Sequence, residues 1–127
     1  FLDQMCRLNK DASEAMVELG AHAATDVTGF GLVGHALDMV LKSYAGIKIY
    51  YSKVPLLAGV EEFVKAGYYP AGSKRNMKHF AGRIEYVDFT KDQKILINDA
   101  QTSGGLLISL PPYAARPRAS ARRSRRR

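Results

Sequence analysis

Cysteine occurs once, at Cys6, so no internal disulfide can form and the chain suits a reducing compartment. No stretch approaches the roughly 18 uncharged apolar residues that a membrane-spanning helix needs. The opening Phe1-Leu2-Asp3-Gln4 has neither the basic start nor the apolar run of a secretory signal. No internal repeat is visible, and His22, His35 and His79 lack metal-ligand spacing. Net charge is missing from the body as well. The 19 basic and 12 acidic residues give +7, but Arg116, Arg118, Arg122, Arg123, Arg125, Arg126 and Arg127 crowd the last dozen positions. Without those seven, 12 basic residues face 12 acidic ones, and the formal charge up to Ala115 is zero. The pI of 9.7 describes the tail, so net charge gives no ground for treating the body as a nucleic-acid binder.

What is present is enough for one domain: 127 residues, 46% of them hydrophobic. Asn9 to Gly20 reads as a helix, with Ala12, Met16 and Leu19 at helical spacing, Asn9 or Asp11 as cap and Gly20 as stop. Ala21 to Val27 is a short buried strand. From Gly29 a second helix carries Phe30, Val33, Leu37, Val40 and Leu41 on one face. Ile47 to Tyr51 alternates like a half-buried strand. Pro55 opens a helix through Ala66, with Leu57, Val60, Phe63 and Val64 inward and Gly67 closing it. Tyr68 to Phe80, with Pro70, Gly72, Ser73 and Asn76, reads as a long irregular connection. Gly82 to Val87 is a further strand, and Thr90 caps a short helix to Ile97. After a polar turn from Asn98 to Gly105 comes a last apolar strand, Leu106 to Leu110. Strands interleaved with helices predict an α/β (α+β layered) domain with one mixed sheet. From Pro112 to Arg127 the composition is that of a disordered basic tail. Contact with RNA, DNA or an acidic surface, and an end without a role, are both open readings of it.

Two stretches carry potential chemistry. In Thr25-Asp26-Val27-Thr28-Gly29-Phe30-Gly31-Leu32-Val33-Gly34-His35, an acidic residue leaves a strand into a glycine-rich turn before a helix. Free amides at a helix start suit phosphate oxygens, and Asp26 suits a hard cation such as magnesium. Alternatively this is a strand-to-helix corner with Asp26 or Thr28 as N-cap and Gly34 serving close packing. In Asp99-Ala100-Gln101-Thr102-Ser103-Gly104-Gly105-Leu106-Leu107-Ile108, polar turn-formers precede Gly-Gly. An anion nest, a subunit contact and a tight turn feeding a strand all fit.

Taken together these stretches resemble selenophosphate synthetases (selenide, water dikinases). Thr25 to His35 is similar to that family's TDVTGFGLxGH, and the stretch from Asp99 to its DPQTSGGLL. Pro55 to Glu62 and Ala71 to Asn76 look like its PGVEEY and GGTERN segments, in the same order. Met5 to Asn9 resembles a run before its first helix. The resemblance covers about positions 5 to 111, within a superfamily that includes aminoimidazole ribonucleotide synthetase.

The resemblance implies a fold like the C-terminal domain of aminoimidazole ribonucleotide synthetase, truncated at both ends. Residues 1–111 would be part of that domain and 112–127 the tail. It also implies a cytoplasmic homodimer making selenophosphate from selenide, ATP and water, with AMP and phosphate released. Asp26 would then be a magnesium ligand facing ATP phosphates, with Thr25, Thr28 and Gly29 bordering the site. The family's nucleophilic cysteine or selenocysteine and its lysine lie in an N-terminal segment that this sequence does not include. No catalytic residue is therefore expected here. Cys6 is expected to be a small buried or half-buried side chain, and His35 to have a packing role. Ala100 stands where the family has proline. A non-catalytic binding or regulatory module of the same fold, or a nucleic-acid-binding protein acting through its arginine tail, are the alternatives.

Overall fold

Two left-handed glycines and one reciprocal cap define the helix ends most sharply. The computed structural model describes residues 2–41 and 43–114. A short helix α1 (Leu2–Cys6) precedes α2 (Lys10–Glu18). Helix α2 stops where Gly20 turns to φ +65°, with Ala21 N–H donating to Met16 O and Gly20 N–H to Val17 O. This is the Schellman arrangement that glycine favours. The same pair of bonds ends α4 (Val60–Lys65), where Gly67 sits at φ +87° and Tyr68 N–H reaches Phe63 O. At α6 (Lys91–Ile97), Thr90 Oγ1 accepts from Gln93 N–H at 3.2 Å and Gln93 Oε1 accepts from Thr90 N–H at 3.0 Å. That reciprocal box is the cap expected at Thr90.

Helix α3 (Gly31–Val40) follows β1 (Ala23–Asp26), and β2 (Leu106–Ser109) closes the described fold. The two strands pair antiparallel, with Ala23 opposite Ser109 and Asp26 opposite Leu106. Helices α3, α5 (Ala71–Phe80) and α6 pack on one another, and α3 also rests on β1. Val64, Ile95 and Leu96 form the core cluster, with Tyr51, Val60 and Tyr69 against it. Val27, Val33, Ala36, Phe80 and Ile97 are also buried. The fold is α/β. Among the described residues no helix is long and apolar enough to cross a membrane.

Several local expectations change. Ile47 to Tyr51 is not a strand: Tyr50 has extended dihedrals, but the described sheet offers the segment no partner. Backbone donors and acceptors make a strand only when a neighbour takes them. A 3-10 turn (Tyr51–Lys53) follows instead. Gly82 to Val87 is likewise unpaired and begins inside a 3-10 turn (Ala81–Arg83). The helix expected from Pro55 starts only at Val60, because Gly59 is left-handed at φ +81°. Leu57 and Phe63, expected inward, are exposed. Cys6 is exposed rather than buried, since α1 buries none of its residues.

The largest difference is α5, which occupies most of the stretch read as irregular. Its buried face is Ser73, Asn76 and Phe80, so two of its three inward residues are polar. A search for apolar periodicity misses such a helix. The tail expectation falls largely on residues 115–127, outside the described residues.

Candidate functional site

The two glycine-rich stretches meet, and α5 fastens them together. Val27 N–H donates to Gly105 O at 3.0 Å, continuing the β1–β2 ladder by one residue. Gln101 N–H donates to Thr28 O at 3.1 Å. A Cβ on Gly104 would collide with the Val27 carbonyl oxygen, so only glycine lets the second stretch pass. Gly31 lies at φ +70°, and a Cβ there would come within 2.7 Å of the Asn98 carbonyl carbon. The second stretch is therefore a tight turn pressed onto the first.

Asn76 holds both from the side. Its Nδ2 donates to Gly29 O at 2.8 Å and to Asn98 O at 3.1 Å. Ser73 Oγ, fully buried, donates to Asp99 Oδ1 at 2.9 Å, and Ala100 N–H reaches the same hydroxyl. Burial pushes the Asp99 carboxyl above its ordinary value, and the Ser73 hydrogen bond offsets part of that. Asn98 is fully buried, with Nδ2 donating to Lys94 O and to the Tyr86 hydroxyl. Gly72 comes so close to Ala100 that a Cβ would lie 2.7 Å from the alanine methyl. These α5 contacts are the part of the site that sequence reasoning missed. The available signal was Ser73, Asn76 and Phe80 at i, i+3 and i+7, a helical face written in polar letters.

Asp26 ends β1 with its side chain exposed, on the same ribbon face as Ala24, Leu106 and Ile108. Among the described residues its carboxylate has no hydrogen-bond or ion-pair partner and is free to meet a cation. Thr25, half-buried, turns its hydroxyl to Asp26 O at 3.3 Å. Thr28 does not cap α3, which starts three residues later at Gly31. Its Oγ1 instead shares a 3.1 Å hydrogen bond with Nε2 of buried His35. Gly29 has open space where a Cβ would stand, and its carbonyl accepts from Asn76. Gly34 does serve packing, with Phe80 against it.

A magnesium ion takes near-octahedral oxygen donors, commonly one or two carboxylates with water and phosphate. Asp26 fits as one such carboxylate. Among the described residues no group of three metal-binding side chains gathers anywhere, so a complete cage does not arise from them. A separate cleft of about 290 Å³ is lined by Leu56, Val60, Leu96, Asp99, Gln101 and Ser103, among others, but not by Asp26. Asp26 itself is exposed.

The sequence that builds this junction matches a known family. Residues 3–123 fit the description "AIR synthase related protein, C-terminal domain". The chain belongs to that family. Relatives within reach of this domain include a selenide, water dikinase of Trichlorobacter lovleyi, 44% identical over 87% of this chain. Those of Caldanaerobacter subterraneus subsp. tengcongensis and Bordetella bronchiseptica are also 44% identical, over 86% and 87% of it. The chain spans about a third of the length of these relatives, 32%, 32% and 31% respectively.

Proposed function

We propose that this chain is the C-terminal-domain part of an ATP-dependent selenide, water dikinase. The supporting observation is the similarity to enzymes of that name over nearly the whole chain, with both glycine-rich stretches joined in one hydrogen-bonded junction. In this reading the intact enzyme is a cytoplasmic homodimer that takes selenide, ATP and water to selenophosphate, AMP and phosphate. Residues 1–111 contribute the domain, residues 112–127 are the basic tail that follows it, and the catalytic nucleophile lies outside this sequence.

The role of Asp26 is to offer a carboxylate oxygen to Mg²⁺ at the edge of the nucleotide site. The ion, when bound, neutralises charge on the ATP phosphates as phosphoryl groups leave. Thr25 and Thr28 shape the backbone on either side of that carboxylate, and Gly29 leaves room beside it. Asn76 keeps the turn from drifting by holding the Gly29 carbonyl. Contact of the arginine tail with nucleic acid is a separate proposal, supported by its charge alone.

A chimera tests the assignment. This chain replaces the matching third of the Trichlorobacter lovleyi enzyme, and selenide-dependent AMP release from ATP is measured. Activity in the chimera is expected, with a loss of at least 100-fold on Asp26→Asn. A folded chimera that binds Mg-ATP but releases no AMP, or an Asp26→Asn variant that keeps full activity, would overturn the reading. So would AMP release by the isolated chain.

A further inference from the structure

The zero net charge of the body hides a segregation. From Phe63 to Ile84 there are five basic residues, Lys65, Lys74, Arg75, Lys78 and Arg83, and no acidic one. The rest of the body up to Ala115 then carries seven basic residues against twelve acidic. The basic set is concentrated on one helix. On α5, Ser73, Asn76 and Phe80 point inward, which leaves Lys74, Arg75, Lys78 and His79 on the outer face, all exposed. Arg83, in the 3-10 turn that continues α5, is exposed as well.

Among the described residues, Lys74, Arg75, Lys78 and Arg83 have no acidic partner. The one ion pair among the described residues is Lys10–Glu14 on α2, away from α5. Solvated helix faces ordinarily intersperse both signs, because like charges at i,i+4 repel. Here Lys74 and Lys78 stand at that spacing, and among the described residues no acidic side chain pairs with either. Two aromatic residues lead into α5, one of them beside a cation. Lys74 Nζ lies 5.1 Å from the Tyr69 ring centroid, and Tyr68 is 72% exposed.

We propose that the outer face of α5 is a docking surface for a single-stranded nucleic acid. Residues four apart on a helix have Cβ atoms about 5–6 Å apart, so their long cationic side chains can reach neighbouring phosphates on one strand. Tyr68 offers a flat face on which a base can stack. An acidic polypeptide would satisfy the charge, but a single strand pairs each anion with a flat base that can stack. The surface is independent of the arginine tail and of the Asp26 site, so its failure leaves the dikinase reading untouched.

The test is fluorescence anisotropy of the full chain with a labelled 12-nucleotide single-stranded RNA over a range of KCl concentrations. Three variants accompany it: Lys74→Gln/Arg75→Gln/Lys78→Gln, Tyr68→Ala, and the seven tail arginines replaced by glutamine. Circular dichroism confirms that each is folded. The triple variant should lose at least tenfold in affinity at 100 mM KCl, with the slope of log K against log salt shallower by roughly 2. Tyr68→Ala should weaken binding severalfold without changing that slope, and the tail variant should remain sensitive to the α5 substitutions. Equal binding by the triple variant and the parent would overturn the proposal. So would the loss of all RNA binding with the tail arginines, or competition by polyglutamate as effective as by unlabelled RNA.

Discussion

The junction where α3, α5 and α6 meet and the β1–β2 ribbon are built on opposite terms. The junction buries Val33, Ala36, Phe80, Ile95, Leu96 and Ile97, and encloses Ser73, Asn76 and Asn98, hydrogen-bonded among the described residues except at Asn98 Oδ1. In the ribbon no residue of either strand is buried. Between α3 and α4, Leu41, Tyr44, Ile47, Tyr50, Leu56 and Leu57 are exposed as well. The contrast teaches that the turns of the two glycine-rich stretches are held by the polar junction, while the ribbon fixes only the strand ends they flank. Stability is concentrated in one half of the molecule. Apolar surface is left open on the other half.

Substitutions break that contrast most directly. Gly104→Ala should cost on the order of 3 kcal/mol or prevent folding, since a methyl cannot share space with the Val27 carbonyl. Ile95→Ala should cost about 2–5 kcal/mol, while Ile108→Ala on the open ribbon costs about 1 kcal/mol or less. Urea unfolding followed by circular dichroism compares all three. Equal costs for the two isoleucines would erase the distinction. Next comes Asn76→Ala, which leaves the carbonyls of Gly29 and Asn98 without a donor and should cost about 2–3 kcal/mol in the same assay. Thr90→Ala removes one half of a reciprocal cap and should lower stability by about 1 kcal/mol.

The smallest effects are pH-dependent. Tyr51 donates to Glu61 Oε1 at 2.8 Å, and burial first, then that carboxylate, push its hydroxyl from 10.0 up to about 12. The folded state thus holds a proton that the unfolded state has released. The stabilisation from this group is complete below pH 10 and disappears as the pH climbs to about 12. Thermal melts should show the decline in the parent and a flatter profile in Tyr51→Phe. Asp99, with its carboxyl raised by burial, follows the same sign in acid. Its contribution is greatest below the ordinary carboxylate value and fades as the pH rises through the folded one. Asp99→Asn keeps an acceptor for Ser73 and should remove that fading, making the variant slightly the more stable at pH 7.

Helices with apolar faces or conventional ends were legible from the letters alone. Gly20, Gly67 and Thr90 act as their residue types predict. Asp26, Thr28 and Gly29 could be singled out because a carboxylate and glycines at a strand end form a local pattern. Strands were less legible, since Ile47 to Tyr51 has the right alternation but pairing depends on a distant neighbour. Helix α5 was hidden because Asn76 and Ser73 resemble loop residues until their partners, Gly29, Asn98 and Asp99, are placed beside them. Cys6 went wrong for the complementary reason, as a residue type that is usually enclosed sits on a helix that encloses nothing.

The ladder bond from Val27 to Gly105, with the strand register on its other side, arrests the peptide units flanking Asp26. Whatever approaches that carboxylate meets a main chain whose freedom was surrendered during folding. Only the two torsions of a short side chain are left to quench, so capture there carries a small entropic toll.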